Sequence, residues 1–265
     1  MDPIVLGDGF IGTEIAKYLN CKTSKDMSVI KHYDTVINAV GRTGRPNVDW
    51  CEAHHNETIE SNITFPFELV KECQKKGIYL IHIGSGCVYH SSPDLHLSEE
   101  EPPHFSKCSF YSKTKAISEE ILSLYPYTLQ LRIRMPIDGG SNPRNLLTKI
   151  CSYKKVLDIQ NSMTVIPDFL QVLDELIRRR RTGIYNVVNP GTISPYDIVK
   201  LYRELVDPSH EFEPLDHAEM NSITSANRSN CVLSTSKLES EGICLKPIQV
   251  RVREILSDPS FRKIT

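Results

Sequence analysis

Ser85, Cys87, Tyr111 and Lys115 bring a hydroxyl, a thiol, a phenol and an amine into one stretch of the chain. Tyr111 and Lys115 are four residues apart, so on a helix they share a face. Unit charges about 4 Å apart at an effective dielectric of about 20 interact by about 4 kcal/mol, which corresponds to roughly three pKa units. An ammonium beside the phenol would therefore bring it from about 10 toward about 7, where general acid catalysis works best. A ketone oxygen hydrogen-bonded by Ser85 and Tyr111 would be electrophilic enough to accept hydride, with Tyr111 supplying the proton as the alkoxide forms. Lys115 would tune the phenol and hold the ribose of a hydride-carrying cofactor.

The elements around these residues point to such a cofactor. Pro3 to Leu6 reads as a short buried strand running into Gly7-Asp8-Gly9-Phe10-Ile11-Gly12, with a helix over Thr13 to Leu19. In a strand-turn-helix unit the first glycine makes the turn, the second lets backbone approach a pyrophosphate, and the third lets helix pack on strand. Further strands are expected at Asp34 to Gly41, Tyr79 to Gly84, Thr128 to Arg134 and Gly183 to Val188. Helices are expected at Glu57 to Lys76, stopped by Gly77, and at Phe110 to Leu124, Asn145 to Tyr153 and Ser194-Pro195 to about Leu205, with Ser at the N-cap and Pro at N1. This alternation predicts an α/β fold, a Rossmann-type doubly wound parallel sheet with a smaller C-terminal lobe. The division is drawn at 1–135 for dinucleotide binding and 136–265 for substrate, with 155–190 free to return to the sheet. Ser85 would then end a strand at the carboxyl edge, where ligands of such sheets bind.

Composition narrows the partners. The chain has 265 residues, 40% hydrophobic content and a formal net charge of -2, so it can bury a core and has no global basic field for nucleic acid or anionic membrane. A small-molecule substrate is expected, with no nucleic-acid or membrane partner. The N-terminus lacks a signal-peptide pattern and no run reaches membrane-spanning length, so a cytoplasmic protein is expected. The eight cysteines show no CxxC pairing and no metal-ligand spacing; apart from Cys87 they read as small buried hydrophobes, and no metal is expected. The basic run Arg178 to Arg181 reads as the end of a helix, complementing its dipole.

Longer strings are more specific. Gly44-Arg45-Pro46-Asn47-Val48-Asp49-Trp50-Cys51-Glu52, Ser109-Phe110-Tyr111-Ser112-Lys113-Thr114-Lys115-Ala116, Arg134-Met135-Pro136-Ile137, Ser141-Asn142-Pro143-Arg144-Asn145 and Asn161-Ser162-Met163-Thr164 resemble the extended short-chain dehydrogenase/reductases. Within them the chain resembles the plant-type UDP-4-keto-6-deoxyglucose 3,5-epimerase/4-reductases of UDP-L-rhamnose synthesis, and more distantly dTDP-4-dehydrorhamnose reductases and GDP-L-fucose synthases. The resemblance covers nearly the whole chain. It implies that Ser85, Tyr111 and Lys115 are the reductase triad, and that Gly7, Gly9, Phe10, Ile11 and Gly12 with Asn38, Ala39 and Val40 hold the dinucleotide. It implies that Cys87 is an epimerase acid/base whose partner is Lys149, with Asn145 and Lys155 as alternatives, and that the protein is a homodimer. One site could run both reactions, because hydrogen bonds that polarise a C4 ketone also stabilise the enolate formed at its C3 or C5 neighbours.

Two readings compete with the bifunctional one: a reductase fed by a separate epimerase, and a catalytically silent dinucleotide-binding subunit, against which the intact triad argues. The chain also departs from the usual pattern. The stretch from Leu19 to Asp34 is shorter than a full second βα unit requires, and no acidic residue closes strand two. Lys22 and Lys25 in that stretch could meet a 2'-phosphate, which with the family's habit favours NADPH over NADH. Asn142 and Arg144, flanking Pro143, are candidates for substrate binding, Arg144 by charge-assisted bonds to a nucleotide diphosphate. Residue types do not distinguish a uridine from a thymidine sugar.

Overall fold

The computed structural model describes residues 2–89, 95–104 and 108–261. β1 (Pro3–Leu6) enters the glycine turn and α1 (Phe10–Tyr18), followed by β2 (Lys22–Ser24), a 3-10 turn over Met27–His32, and β3 (Thr35–Asn38). Next come α2 (Asp49–Ala53), α3 (His55–Ile59), α4 (Phe65–Lys76), β4 (Tyr79–Ser85), β5 (His96–Leu97), α5 (Phe110–Ser123) and β6 (Thr128–Ile133). The remainder runs α6 (Leu146–Ile150), β7 (Lys155–Leu157), α7 (Ile166–Arg178), β8 (Gly183–Asn186), α8 (Pro195–Leu205), β9 (Glu213–Leu215), α9 (His217–Ile223), β10 (Val232–Leu233), α10 (Ser236–Ser240) and α11 (Ile248–Ser257). Six strands form one sheet in the order β2-β1-β3-β4-β6-β8, and each pairing is parallel. The fold is the expected Rossmann-type doubly wound sheet.

Such a sheet is apolar on both faces because helices cover both. Ile4, Leu6, Val36 and Leu80 pack with Leu69 and Leu122 on one side, while their neighbours Val5, Ile37 and Ile81 pack with Phe169 and Leu173 on the other. The two-residue period of a strand divides the residues this way. A separate core of Ile137, Leu147, Val156, Ile198, Tyr202 and Val252 holds the elements that rise over the carboxyl edge.

Several expected boundaries move for local reasons. Residues between Leu19 and Asp34 do carry a second unit, compressed: β2 has three residues, Ser24 closes it, and Asp26 Oδ1 caps the 3-10 turn from Ser28 N at 2.8 Å. The helix expected at Glu57 to Lys76 widens to a π turn over Glu60–Thr64, a distortion common near functional sites. That turn carries the buried Asn62, whose Oδ1 accepts from Arg42 N at 2.7 Å while its Nδ2 donates to Arg42 O and Thr114 Oγ1 at 3.0 and 3.1 Å. It ties the loop after β3 to α5. Gly77, at φ 65°, ends α4 as expected.

α5 is fixed at both ends. Ser109 Oγ accepts from Ser112 N at 3.2 Å, and Glu52 Oε1 accepts from Phe110 N at 2.7 Å, so two of the free N–H groups of its first turn are met. Farther along, Glu119 forms a bidentate pair with Arg132 of β6 at 2.7 and 2.8 Å, and both side chains are almost wholly buried. Removing one partner of a buried pair leaves a stranded charge, which typically costs about 3–5 kcal/mol. We expect Glu119→Ala to lose about that much in urea unfolding, and Glu119→Leu/Arg132→Met to recover most of it.

Candidate active site

The glycine turn is built for close approach. Gly7 has φ +103°, and a Cβ there would lie 3.0 Å from the backbone of Ala39 and Val40; a Cβ on Gly12 would meet Gly7 O at 2.2 Å. A Cβ on Gly9 would meet only Arg144 Nη1, at 3.9 Å, so open space lies over the start of α1, where Phe10 and Ile11 begin the helix. Beside it, Ala39 N donates to Leu6 O at 2.9 Å and Val40 N to Asn38 Oδ1 at 3.0 Å. Unpaired N–H groups at a helix start with room above them fit a dinucleotide pyrophosphate. Of the two lysines considered for a 2'-phosphate, Lys22 pairs at the level of Ile4, back along the sheet. Lys25 follows the edge residue Ser24, 2.8 Å from Asp8 Oδ2.

A cavity of about 760 Å³ opens between the sheet edge and the overlying lobe, lined by Cys87, Tyr111, Arg134, Arg144, Lys149 and Lys155 among others. Ser85 ends β4, and its Oγ accepts from Cys87 N at 3.1 Å. The Ser85 side chain also acts on the Tyr111 phenol, favouring its ionised form. Strand end, thiol turn and helix start therefore meet as expected.

The electrostatics differ from those read off the spacing. Burial, reinforced by Cys87, pushes the Tyr111 phenol up, against a lowering influence from the Ser85 side chain. Lys115 is turned away: its Nζ lies 3.2 Å from His82 Nε2 and donates to Ile83 O at 3.1 Å. Burial brings Lys115 down to about 8. The four-residue spacing sets a shared face, but a long flexible stem in a dry interior turns to an available carbonyl. His82, held below its usual range by burial, in turn contacts Asn38 Nδ2 through Nδ1 at 3.0 Å. The amine is thus linked to the cofactor edge through a residue that sequence reasoning passed over.

The candidates from the lobe separate clearly. Lys149 lines the cavity, and burial and Arg144 lower its amine. Lys155 also lines it but pairs with Glu219 at 2.5 Å. Asn145 is buried as the N-cap of α6, its Nδ2 donating to Asp138 and Gly140, so the alternative partner Asn145 is occupied in a turn. Asn142 is exposed, does not line the cavity, and accepts from Arg144 N at 2.9 Å. Arg144 reaches from the cavity to the glycine turn, placing it between the two binding regions rather than in one.

Arg134 was legible only as part of a string. It follows β6 at the carboxyl edge, and its Nη1 donates to Cys87 Sγ at 2.8 Å. Met135, next to it, has φ 41°, a conformation that costs a non-glycine residue roughly 1 kcal/mol or more. The usable signal was position: a charged residue one step past a central strand.

The model of the NAD dependent epimerase/dehydratase family matches residues 20–134. The chain is 41% identical over 232 residues to the Arabidopsis thaliana bifunctional dTDP-4-dehydrorhamnose 3,5-epimerase/dTDP-4-dehydrorhamnose reductase, covering 85% of this chain and 77% of that one. The chain belongs to this epimerase/dehydratase family. It is an enzyme of the extended short-chain dehydrogenase/reductase type and takes a nicotinamide dinucleotide. Another epimerase/reductase relative, the Arabidopsis thaliana trifunctional protein RHM1, is 39% identical over 213 residues, 78% of this chain but only 32% of that longer protein. The solved L780 UDP-rhamnose synthase of Acanthamoeba polyphaga mimivirus superimposes with a TM-score of 0.89 at 29% identity, covering 96% of this chain and 98% of that one. Among the described residues no cluster suited to a metal ion is present, and no helix is long and apolar enough to cross a membrane.

Gly9 offers a clean test of the dinucleotide cradle in this family member. Because its Cβ would enter open space at φ −71°, Gly9→Ala should fold with a melting temperature within about 2 °C of the parent. It should still bind NADPH about tenfold or more weakly, about 1.4 kcal/mol, in calorimetric titration, because the methyl occupies the pyrophosphate's space.

Proposed function

We propose that the protein is a bifunctional 3,5-epimerase and NADPH-dependent 4-ketoreductase that converts UDP-4-keto-6-deoxy-D-glucose to UDP-L-rhamnose. The observation that carries this reading is one cavity lined by Tyr111, Cys87 and Lys149, with the Ser85 hydroxyl joined to the Cys87 N–H at the end of β4. A ketone oxygen placed against the two hydroxyls gains electrophilicity at C4 and acidity at C3 and C5. Cys87 removes a proton from one face, the electron pair moves to the ketone oxygen, and the Lys149 ammonium returns a proton to the other face. The carbon is thereby inverted. Epimerisation comes first, because reduction of the ketone abolishes that acidity.

The dinucleotide supplies hydride to C4 when bound. Gly7, Gly9, Phe10, Ile11 and Gly12 would hold its pyrophosphate, Asn38, Ala39 and Val40 would line it, and Lys115 would bind its ribose. Tyr111 protonates the C4 oxygen; its raised pKa keeps it protonated, and so able to donate, at neutral pH. In this reading Lys25, which follows the edge strand β2, would meet the 2'-phosphate of NADPH. The uridine assignment takes support from the UDP-rhamnose synthase likeness, and the thymidine relative is its competitor in the assay. Homodimerisation through α4 and α5, which expose Phe67, Ile117 and, at the end of α5, Leu124, belongs to the same reading.

Incubation with NADPH and either UDP- or dTDP-4-keto-6-deoxyglucose should consume NADPH and give a rhamnosyl nucleotide by NMR, faster with the uridine substrate. Failure to turn over either sugar nucleotide would remove the proposal. Cys87→Ser should abolish solvent deuterium uptake at C3 and C5 while an already epimerised substrate is still reduced; persistent uptake sinks the thiol assignment. Arg144→Gln removes a cation that, after burial, holds Lys149 down. Lys149 must be protonated to act as the acid, so the alkaline fall of the deuterium-exchange rate should move to higher pH in this variant.

A further inference from the structure

Among the described residues, Arg134 is a buried cation without a carboxylate partner. Elsewhere Arg132 has Glu119, Arg251 has Asp168 and Arg228 has Asp49; Arg134, 2% exposed, forms no ion pair among the described residues. Its Nη2 donates to Asn161 Oδ1 at 2.7 Å and to the Ser229 carbonyl, and its Nε has no partner. Those acceptors are neutral. Nη1 donates to Cys87 Sγ at 2.8 Å, and among the described residues that sulfur is the one group bonded to the guanidinium that can carry a negative charge.

The arrangement is rigid. Arg134 N donates to Thr164 Oγ1 at 2.9 Å and Thr164 N to Arg134 O at 2.8 Å. Asn161 is held by Cys231 N at 3.1 Å and by Asn230 Oδ1 at 3.2 Å. An isolated ion in a dry interior costs several kcal/mol unless an anion completes it.

We propose that Arg134 is a positioning residue for epimerisation: its guanidinium is the counter-cation that keeps the Cys87 sulfur anionic and aimed into the cavity, so that this sulfur is the base. The inference rests on the epimerase reading given above for the same cavity.

The other titratable groups around this pair do not take the role. Tyr111 is pushed up by burial, and Cys108 is pushed up to about 11 by burial and by the neighbouring sulfurs. Cys231 is pushed up by burial and points its thiol at Gly86 O, 3.2 Å away. Lys115 also faces Cys87 electrostatically, but its amine is engaged with His82 and Ile83. In the forward step a C–H bond next to the ketone breaks, an S–H bond forms, and the electron pair goes to the ketone oxygen held by Ser85 and Tyr111. Protonating the sulfur leaves Arg134 uncompensated, so the same contact favours release of the proton. A base for a reversible exchange needs that property.

The test uses the full chain without substrate. Iodoacetamide labelling of Cys87, read by peptide mass spectrometry from pH 6 to pH 9, should vary by less than about threefold in the parent. In Arg134→Met it should rise about tenfold per pH unit below about pH 8.5, as for an ordinary thiol, and Arg134→Lys should fall between the two. Thermal melts and NADPH titration establish that the variants are folded. If Arg134→Met does not fold, the parent and Arg134→Lys still make the comparison. A steep profile in the parent, or the same flat profile in every folded variant, overturns the proposal. Since no sugar nucleotide is present, such a failure is distinct from failure of the epimerase reading, which would show as absent turnover or deuterium uptake.

Discussion

The Ser85 hydroxyl is the point on which the site depends. It accepts the Cys87 N–H and favours the ionised form of the Tyr111 phenol, so the end of a central strand, the turn that carries the thiol and the first turn of α5 come together at this residue. This works only because β4 stops at the carboxyl edge and α5 begins there. The caps from Ser109 and Glu52 and the buried Glu119–Arg132 pair hold that helix in place. A shift of α5 by one residue would turn Tyr111 about 100° around the helix axis and away from Ser85.

Burial sorts the ionisable groups around this point. The same dry environment raises the phenol and lowers the Lys115 amine, and Arg134 is buried with no carboxylate partner among the described residues. Each charged form is then set by its hydrogen-bonding partner rather than by the solvent. Tyr111 stays a proton donor, Lys115 leans on His82, and Arg134 leans on Cys87. In the bifunctional reading proposed above, the two halves of the chemistry then have separate electrostatic supports, the phenol on the sheet side and the thiol beside the guanidinium.

Much of the scaffold was legible because its signals are local. The glycine turn, Gly77 ending α4, and Ser194-Pro195 opening α8 follow from conformational limits of single residues, and the buried strands from unbroken apolar runs. The compressed β2 and the π turn at Glu60–Thr64 were not, since both exist through contacts made at a distance: β2 through its ladder with β1, and the π turn through the bonds of Asn62 to Arg42 and Thr114. Asn145 and Asn142 show the same limit in the site. Their residue types suit ligand contacts, yet the turn they sit in uses their side chains.

By itself the sequence determined the parallel α/β plan and the hydroxyl, phenol, amine and thiol available for chemistry, because period, glycine placement and residue type act over a few neighbours. Only the tertiary structure decided the direction of each side chain and the charge it sustains. Lys115 and Tyr111 share a helical face, but the carbonyl that draws the amine away comes from β4; Arg134 and Cys87 stand far apart in the chain, and the meeting of β4 with β6 puts them in contact. Those outcomes depend on desolvation and on partners from other strands, which no local spacing encodes.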